Sequence, residues 1–133
     1  MKKTILSLFF AFLCVFAINA SAQDLVRNGS TFGKIESDGV VRFNGSSVGR
    51  FESDGTIRVK GTSKGRIESD GTIRKNGSSV GKVEADGTVR IGGSSVGKIE
   101  SDGTVRKNGS SIGSAKGVRK EYAAVIFFFD FFN

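Results

Sequence analysis

No histidine, tryptophan or proline occurs in the 133 residues, and cysteine appears once, at Cys14. Without histidine there is no Ser-His or Cys-His nucleophile pair, and a zinc site loses its usual ligands. A lone cysteine near the start raises the question of a lipid anchor, but Leu13 precedes it where lipid attachment wants a small side chain. Cys14 therefore reads as part of an apolar core. Long apolar runs are missing as well. The stretch from Ile5 to Ile18 is about 14 residues, Tyr122 to Phe132 is shorter still, and a membrane-crossing helix needs roughly 20.

What is present begins with an address. Lys2 and Lys3 precede the apolar stretch, and Ala20-Ser21-Ala22 supplies small residues before Gln23, the three-part layout of a secretory signal peptide. Cleavage after Ala22 is expected. Residues 1–22 are then a signal peptide and residues 23–133 a single domain, exported to the periplasm or the extracellular space, with any membrane contact peripheral. The domain must fold without a disulfide, because cleavage removes Cys14. Removing Lys2 and Lys3 leaves 18 basic against 13 acidic side chains, a formal net charge of +5.

Self-similarity dominates the rest. Glycine, 19 residues in all, marks a period of 16 without an insertion at Gly33, Gly49, Gly65, Gly81 and Gly97. The five units span residues 33–48, 49–64, 65–80, 81–96 and 97–112; the third reads GRIESDGTIRKNGSSV and the fifth GKIESDGTVRKNGSSI. A partial unit precedes them at Arg27 to Phe32, and a decayed one runs from Gly113 to Arg119. Each unit carries two turn signals, which makes two short strands and two turns, a β-hairpin.

Cross-strand partners must share a face of the sheet, and this fixes the turns. A two-residue turn at Asp70-Gly71 would set Ile67 against Arg74 and Glu68 against Ile73, mixing apolar and charged partners. A three-residue loop, Ser69-Asp70-Gly71, instead pairs Ile67 with Ile73 and Glu68 with Thr72, with Gly71 in the left-handed region. Asn76-Gly77 fits a two-residue type I′ turn and is expected to set Ile73 opposite Val80. Val80 and Val83 then have opposite parity, so a bulge or bend is expected between them, at Gly81.

Each hairpin offers only about three core side chains, Ile67, Ile73 and Val80 in the third unit. At roughly 1.5–3 kcal/mol per buried aliphatic side chain, one hairpin cannot offset its own ordering entropy. The units must share a core. Closure into a shallow up-and-down barrel achieves this and removes exposed strand edges; a β-solenoid is the alternative architecture. The fold class is all-β.

The GK[IV]ESDGT[IV]RKNGSS[VI] repeat, the AQDLVRNG entry and the closing EYAAVIFFF resemble the five-fold β-flower proteins, small exported bacterial domains. The resemblance covers the whole of residues 23–133. It implies a shallow barrel of five hairpin petals around a hydrophobic centre, similar in shape to Tubby-like domains. It implies no established activity and supplies no functional residues.

The tail, residues 122–133, departs from the repeat: Tyr122 to Phe132 is apolar apart from Asp130 and holds five phenylalanines in its last six residues before Asn133. It is expected to form a final strand or a plug capping the barrel core; contact with a membrane or a partner is the alternative. The strands are too short for a transmembrane barrel.

Catalytic chemistry finds little footing. Ser78-Ser79 and their equivalents have lysines nearby, yet a Ser-Lys dyad would have to recur in every unit, and turn formation accounts for these serines. The Glu-Ser-Asp-Gly loops, from Glu36 and Asp38 to Glu100 and Asp102, raise Ca²⁺, but two carboxylates per loop fall short of an EF-hand or RTX density. No metal, cofactor or nucleic acid is expected.

The basic columns carry more information. The register sets Lys34 opposite Arg42, Arg50 opposite Arg58, Arg66 opposite Arg74, Lys82 opposite Arg90 and Lys98 opposite Arg106. Like charges directly opposite are mildly destabilising. Either the glutamates, such as Glu68, neutralise them diagonally in a solvated lattice, or the ten bases ring the barrel as a surface for polyanions or lipid headgroups. The sequence thus points to an exported, non-enzymatic β-repeat module, structural or binding in role. The alternative is a binder of anionic lipid headgroups or envelope polyanions, and a hydrolase is a distant third.

Overall fold

The computed structural model describes residues 23–132; the expected signal peptide, Cys14 included, lies outside the described residues. Twelve strands are paired by their turns. Strands β1 (Gln23–Arg27) and β2 (Ser30–Ile35) flank Asn28-Gly29, and β3 (Val40–Phe43) and β4 (Ser46–Phe51) flank Asn44-Gly45. Next, β5 (Thr56–Val59) and β6 (Thr62–Ile67) flank Lys60-Gly61, while β7 (Thr72–Lys75) and β8 (Ser78–Val83) flank Asn76-Gly77. The pair β9 (Thr88–Ile91) and β10 (Ser94–Ile99) flanks Gly92-Gly93, and β11 (Thr104–Lys107) and β12 (Ser110–Ser114) flank Asn108-Gly109. One helix, α1 (Lys120–Phe128), follows.

All neighbours are antiparallel, and β1 pairs with β12, so the sheet closes into a barrel. The solenoid is not needed. Closure draws on the partial units at both ends: the preceding one supplies the β1–β2 hairpin, and the segment from Gly113 completes β12. Five full repeats therefore yield five Ser-Asp-Gly-type loops, whereas the Asn-Gly-type turns number six.

The turns take the conformations their residues favour. Asn76 (φ 52°) and Gly77 (φ 87°) are both left-handed, as a type I′ turn demands. In the other connection Gly71 has φ 93°, its N–H donates to the Glu68 carbonyl at 3.0 Å, and the Glu68 N–H donates to the Thr72 carbonyl at 2.8 Å. The three-residue loop holds, and Ile67 pairs with Ile73.

One expected pairing does not hold. Ile73 lies opposite Gly81 rather than Val80, and Val80 is the unpaired bulge residue. It is half-buried, and its equivalent Val48 uses its carbonyl to accept the N–H of Lys60 in the neighbouring turn at 3.2 Å. The bulge lies one residue before the expected glycine because Gly81 is needed in the ladder itself. A Cβ there would collide with the Arg90 carbonyl and the Phe129 ring.

Two apolar tiers from the ring face inward. One holds Leu25, Val41, Ile57, Ile73, Val89 and Val105, each fully buried; the other runs from Ile35 through Phe51, Ile67, Val83 and Ile99 to Ala115. Helix α1 fills the space they enclose, burying Ala123, Ala124, Val125 and Ile126. Beyond Glu121 it is apolar on all sides, which suits a helix surrounded by sheet. The tail is thus a plug, as one expectation had it, but a helical one and not a strand. With every strand edge closed, an inserted segment finds no ladder to join and must pair its own backbone polar groups.

The plug is keyed to the glycine column. Cβ atoms added at Gly49, Gly65, Gly81, Gly97 and Gly113 would strike Phe132, Phe131, Phe129, Phe128 and Phe127 in turn, so each of these phenylalanines covers one glycine around the ring. The sixth glycine, Gly33, is covered by Phe43.

Candidate functional site

Because inward and outward residues alternate, the inward placing of Ile67 and Ile73 puts Arg66, Glu68, Thr72 and Arg74 on the outer wall. All five expected basic pairs face each other across adjacent strands: Lys34 with Arg42, Arg50 with Arg58, Arg66 with Arg74, Lys82 with Arg90, and Lys98 with Arg106. The structure therefore brings the ten together as a belt around the barrel.

The two columns of that belt differ. Arg74 Nε donates to Glu68 Oε2 at 2.7 Å and its Nη1 to the Gly77 carbonyl at 3.3 Å. The same clamp holds Arg42 to Glu36, Arg58 to Glu52, Arg90 to Glu84 and Arg106 to Glu100, at 2.7–3.0 Å. These pairs are about a third exposed, so each adds only a few tenths of a kcal/mol to about 1 kcal/mol. The column of Lys34, Arg50, Arg66, Lys82 and Lys98 makes no ion pair with a described carboxylate. Arg50, Arg66, Lys82 and Lys98 are exposed.

The loop aspartates close their own turns. Asp70 Oδ1 accepts the Thr72 N–H at 2.9 Å, and Asp54, Asp86 and Asp102 do the same with Thr56, Thr88 and Thr104. That backbone donor, helped by the threonine hydroxyl, holds each of the four carboxyls below the ordinary aspartate range. The glutamates beside them are committed to arginine.

Helix α1 enters from the end of the barrel that carries these loops. Tyr122 stacks on Phe51 with ring centroids 4.1 Å apart, and Arg119 Nε donates to Glu121 Oε1 at 3.0 Å. Burial pushes the Glu121 carboxyl up, but its own backbone N–H, the Arg119 hydrogen bond and the Lys120 charge outweigh it and hold it below the usual range.

The opposite end, where the Asn-Gly-type turns lie, is a feature that sequence reasoning missed. Facing the glycine column across the strands are Arg27, Phe43, Val59, Lys75, Ile91 and Lys107, which rim the barrel mouth around the plug. The Arg27 guanidinium lies 4.5 Å from the Phe32 ring centroid and 5.1 Å from that of Phe127. Lys75 Nζ sits 5.1 Å from the Phe131 centroid and donates to the Asp130 carbonyl at 3.2 Å. This rim column was legible as the position of the repeat that switches between apolar and basic residues.

A closed antiparallel ring of equivalent hairpins, filled by its own C-terminal helix and charged on its outer wall, defines a plugged β-repeat barrel. The chain belongs to the family of the 5-fold beta-flower protein, whose model matches residues 22–132. No curated protein and no solved structure matches it.

Proposed function

We propose that this chain is an exported, non-enzymatic module that works as a rigid structural or binding unit of the cell envelope. The observation that carries this reading is the filled interior. Helix α1 and its phenylalanines occupy the space a barrel would offer a ligand, so contacts fall to the outer wall and the two ends. Export is supported by the signal-peptide layout of residues 1–22 in the sequence. Intact mass of the exported form tests that half: a chain retaining Cys14 overturns it. Turnover of an ester, glycoside or peptide that is lost on changing one single-copy residue, such as Glu121 or Tyr122, would overturn the non-enzymatic half.

A second reading, binding of envelope polyanions on the wall, is favoured by the like-charge rows. The clamp on Arg42, Arg58, Arg74, Arg90 and Arg106 shifts that role to Lys34, Arg50, Arg66, Lys82 and Lys98. Elution of wild type and of the variant with all five changed to Gln from an immobilised anionic polysaccharide tests it. Equal salt requirements for both sink the wall reading.

A further inference from the structure

We propose that the turn end of the ring is a docking face for the anionic surface of a lipid bilayer. The inference deepens the binding half of the reading above and rests on it, but it uses different residues from the wall belt.

Charge and apolar surface are distributed unevenly between the two ends. Apart from Asp130, every described carboxylate lies at the loop end or in the wall clamps: the Glu and Asp of the five loops, Asp24 at the start of β1 and Glu121 at the helix start. The turn end holds Arg27, Lys60, Lys64, Lys75 and Lys107, with Asp130 as its single acidic residue. Lys60 occupies a turn position that is asparagine in four of the other five turns, and Lys64 a bulge position that is otherwise apolar. Neither substitution is needed by the fold, since both side chains are exposed and outside the core.

The same end carries apolar surface that a purely electrostatic site would not need. Ile91 is 37% exposed, the one large apolar residue on the described surface to be so, and Phe43, Val59, Phe127 and Phe128 beside the mouth are only partly buried. Lysines and arginines around half-exposed aliphatic and aromatic side chains suit the headgroup region, where the cations meet lipid phosphates and the apolar groups enter the acyl boundary. A soluble polyanion would use the cations and leave the apolar rim in water. Arg27 and Lys75 are already held over phenylalanine rings, so part of the face is ordered before contact.

The experiment uses residues 23–133, with vesicles of phosphatidylcholine alone or mixed with phosphatidylglycerol, sedimented at low salt. Binding is expected only to the mixed vesicles. The Lys60→Asn, Lys64→Gln pair should weaken it about thirty-fold, as two lost surface charges near an anionic leaflet imply. The chain has no tryptophan, so a single introduced one reports its own surroundings. Emission of Ile91→Trp at the rim should shift to the blue on mixed vesicles, while Ala85→Trp in an exposed loop at the far end should not. No sedimentation, a shift at Ala85→Trp in place of Ile91→Trp, or wild-type binding by the lysine pair overturns the proposal. Retention on dextran sulfate without a rim shift on vesicles also overturns it, yet leaves the chain a binding module. If the five-Gln wall variant loses vesicle binding while the lysine pair keeps it, the belt is the lipid surface and the turn end is not.

Discussion

In the ring, each hairpin repeats the same 16 positions and pairs only with its two neighbours, so every stabilising contact exists in several copies. The segment from Lys120 to Phe132 occurs once and meets glycines of five different strands. Damage to the ring is therefore diluted, whereas damage to the plug reaches the whole molecule. A repeat array normally grows stable by adding units. Here closure stops the growth, and the missing stability comes from the filler.

The sharpest break in that comparison is Val125→Asp, which sets an unpaired carboxylate where the side chain is fully buried. A loss of about 4 kcal/mol or more is expected, a large share of the roughly 5–15 kcal/mol that keeps a domain folded. Retained native circular dichroism and a melting temperature near wild type would mean that the ring does not depend on its plug. Phe129→Ala should follow at about 3–5 kcal/mol, from a cavity left over Gly81 beneath the barrel mouth, measured by urea titration. An isolated wall change such as Arg74→Gln is the contrast. Its ion pair is exposed and has four copies elsewhere, so about 0.5 kcal/mol is expected.

Between these extremes, two ring glycines sharpen the picture. Gly71 and Gly77 both have positive φ, but a Cβ at Gly71 would run into the Val83 carbonyl while one at Gly77 meets open space. Gly77→Ala should cost about 1 kcal/mol, the conformational term alone, and Gly71→Ala about 2–3 kcal/mol, with overpacking added. Ser69→Ala should be nearly silent. Equal losses at the two glycines would show that the loop backbone can move away from the neighbouring strand.

The smallest effect concerns acid. The folded-state pKa values of Asp54, Asp70, Asp86 and Asp102 are lowered, so the stability these carboxylates add is fully present above the ordinary aspartate pKa near 3.8. It is lost as pH falls through their lowered values. A variant with all four changed to Ala should melt less steeply with acid below about pH 4 than wild type does. Parallel acid curves would mean that the Thr N–H bonds are as strong to the protonated carboxyl.

The period, both turn types, the pairing of Ile67 with Ile73 and the facing of all ten basic residues were legible in the sequence. Each is set by a local rule: turn residues restrict φ, and alternation restricts the face. The Arg–Glu clamp was legible in half: the glutamates neutralise the column of Arg42, Arg58, Arg74, Arg90 and Arg106, but not the facing column of Lys34, Arg50, Arg66, Lys82 and Lys98. The placement of the bulge at Val80 was not, because Gly81 looks like a bend residue until the Phe129 ring is seen above it. Nor was the closing β1–β12 ladder, whose strands come from opposite ends of the domain and share no local turn. The tail shows the limit most clearly. Ala123 to Phe132 is rich in valine, isoleucine and phenylalanine, residues that suit strands. It coils from Lys120 to Phe128 because the ring around it is closed and offers no edge. The sequence by itself determined the hairpin and its register through short-range sterics. Only the tertiary structure decided how many hairpins close the ring and what fills it, since both depend on where distant backbone groups find partners.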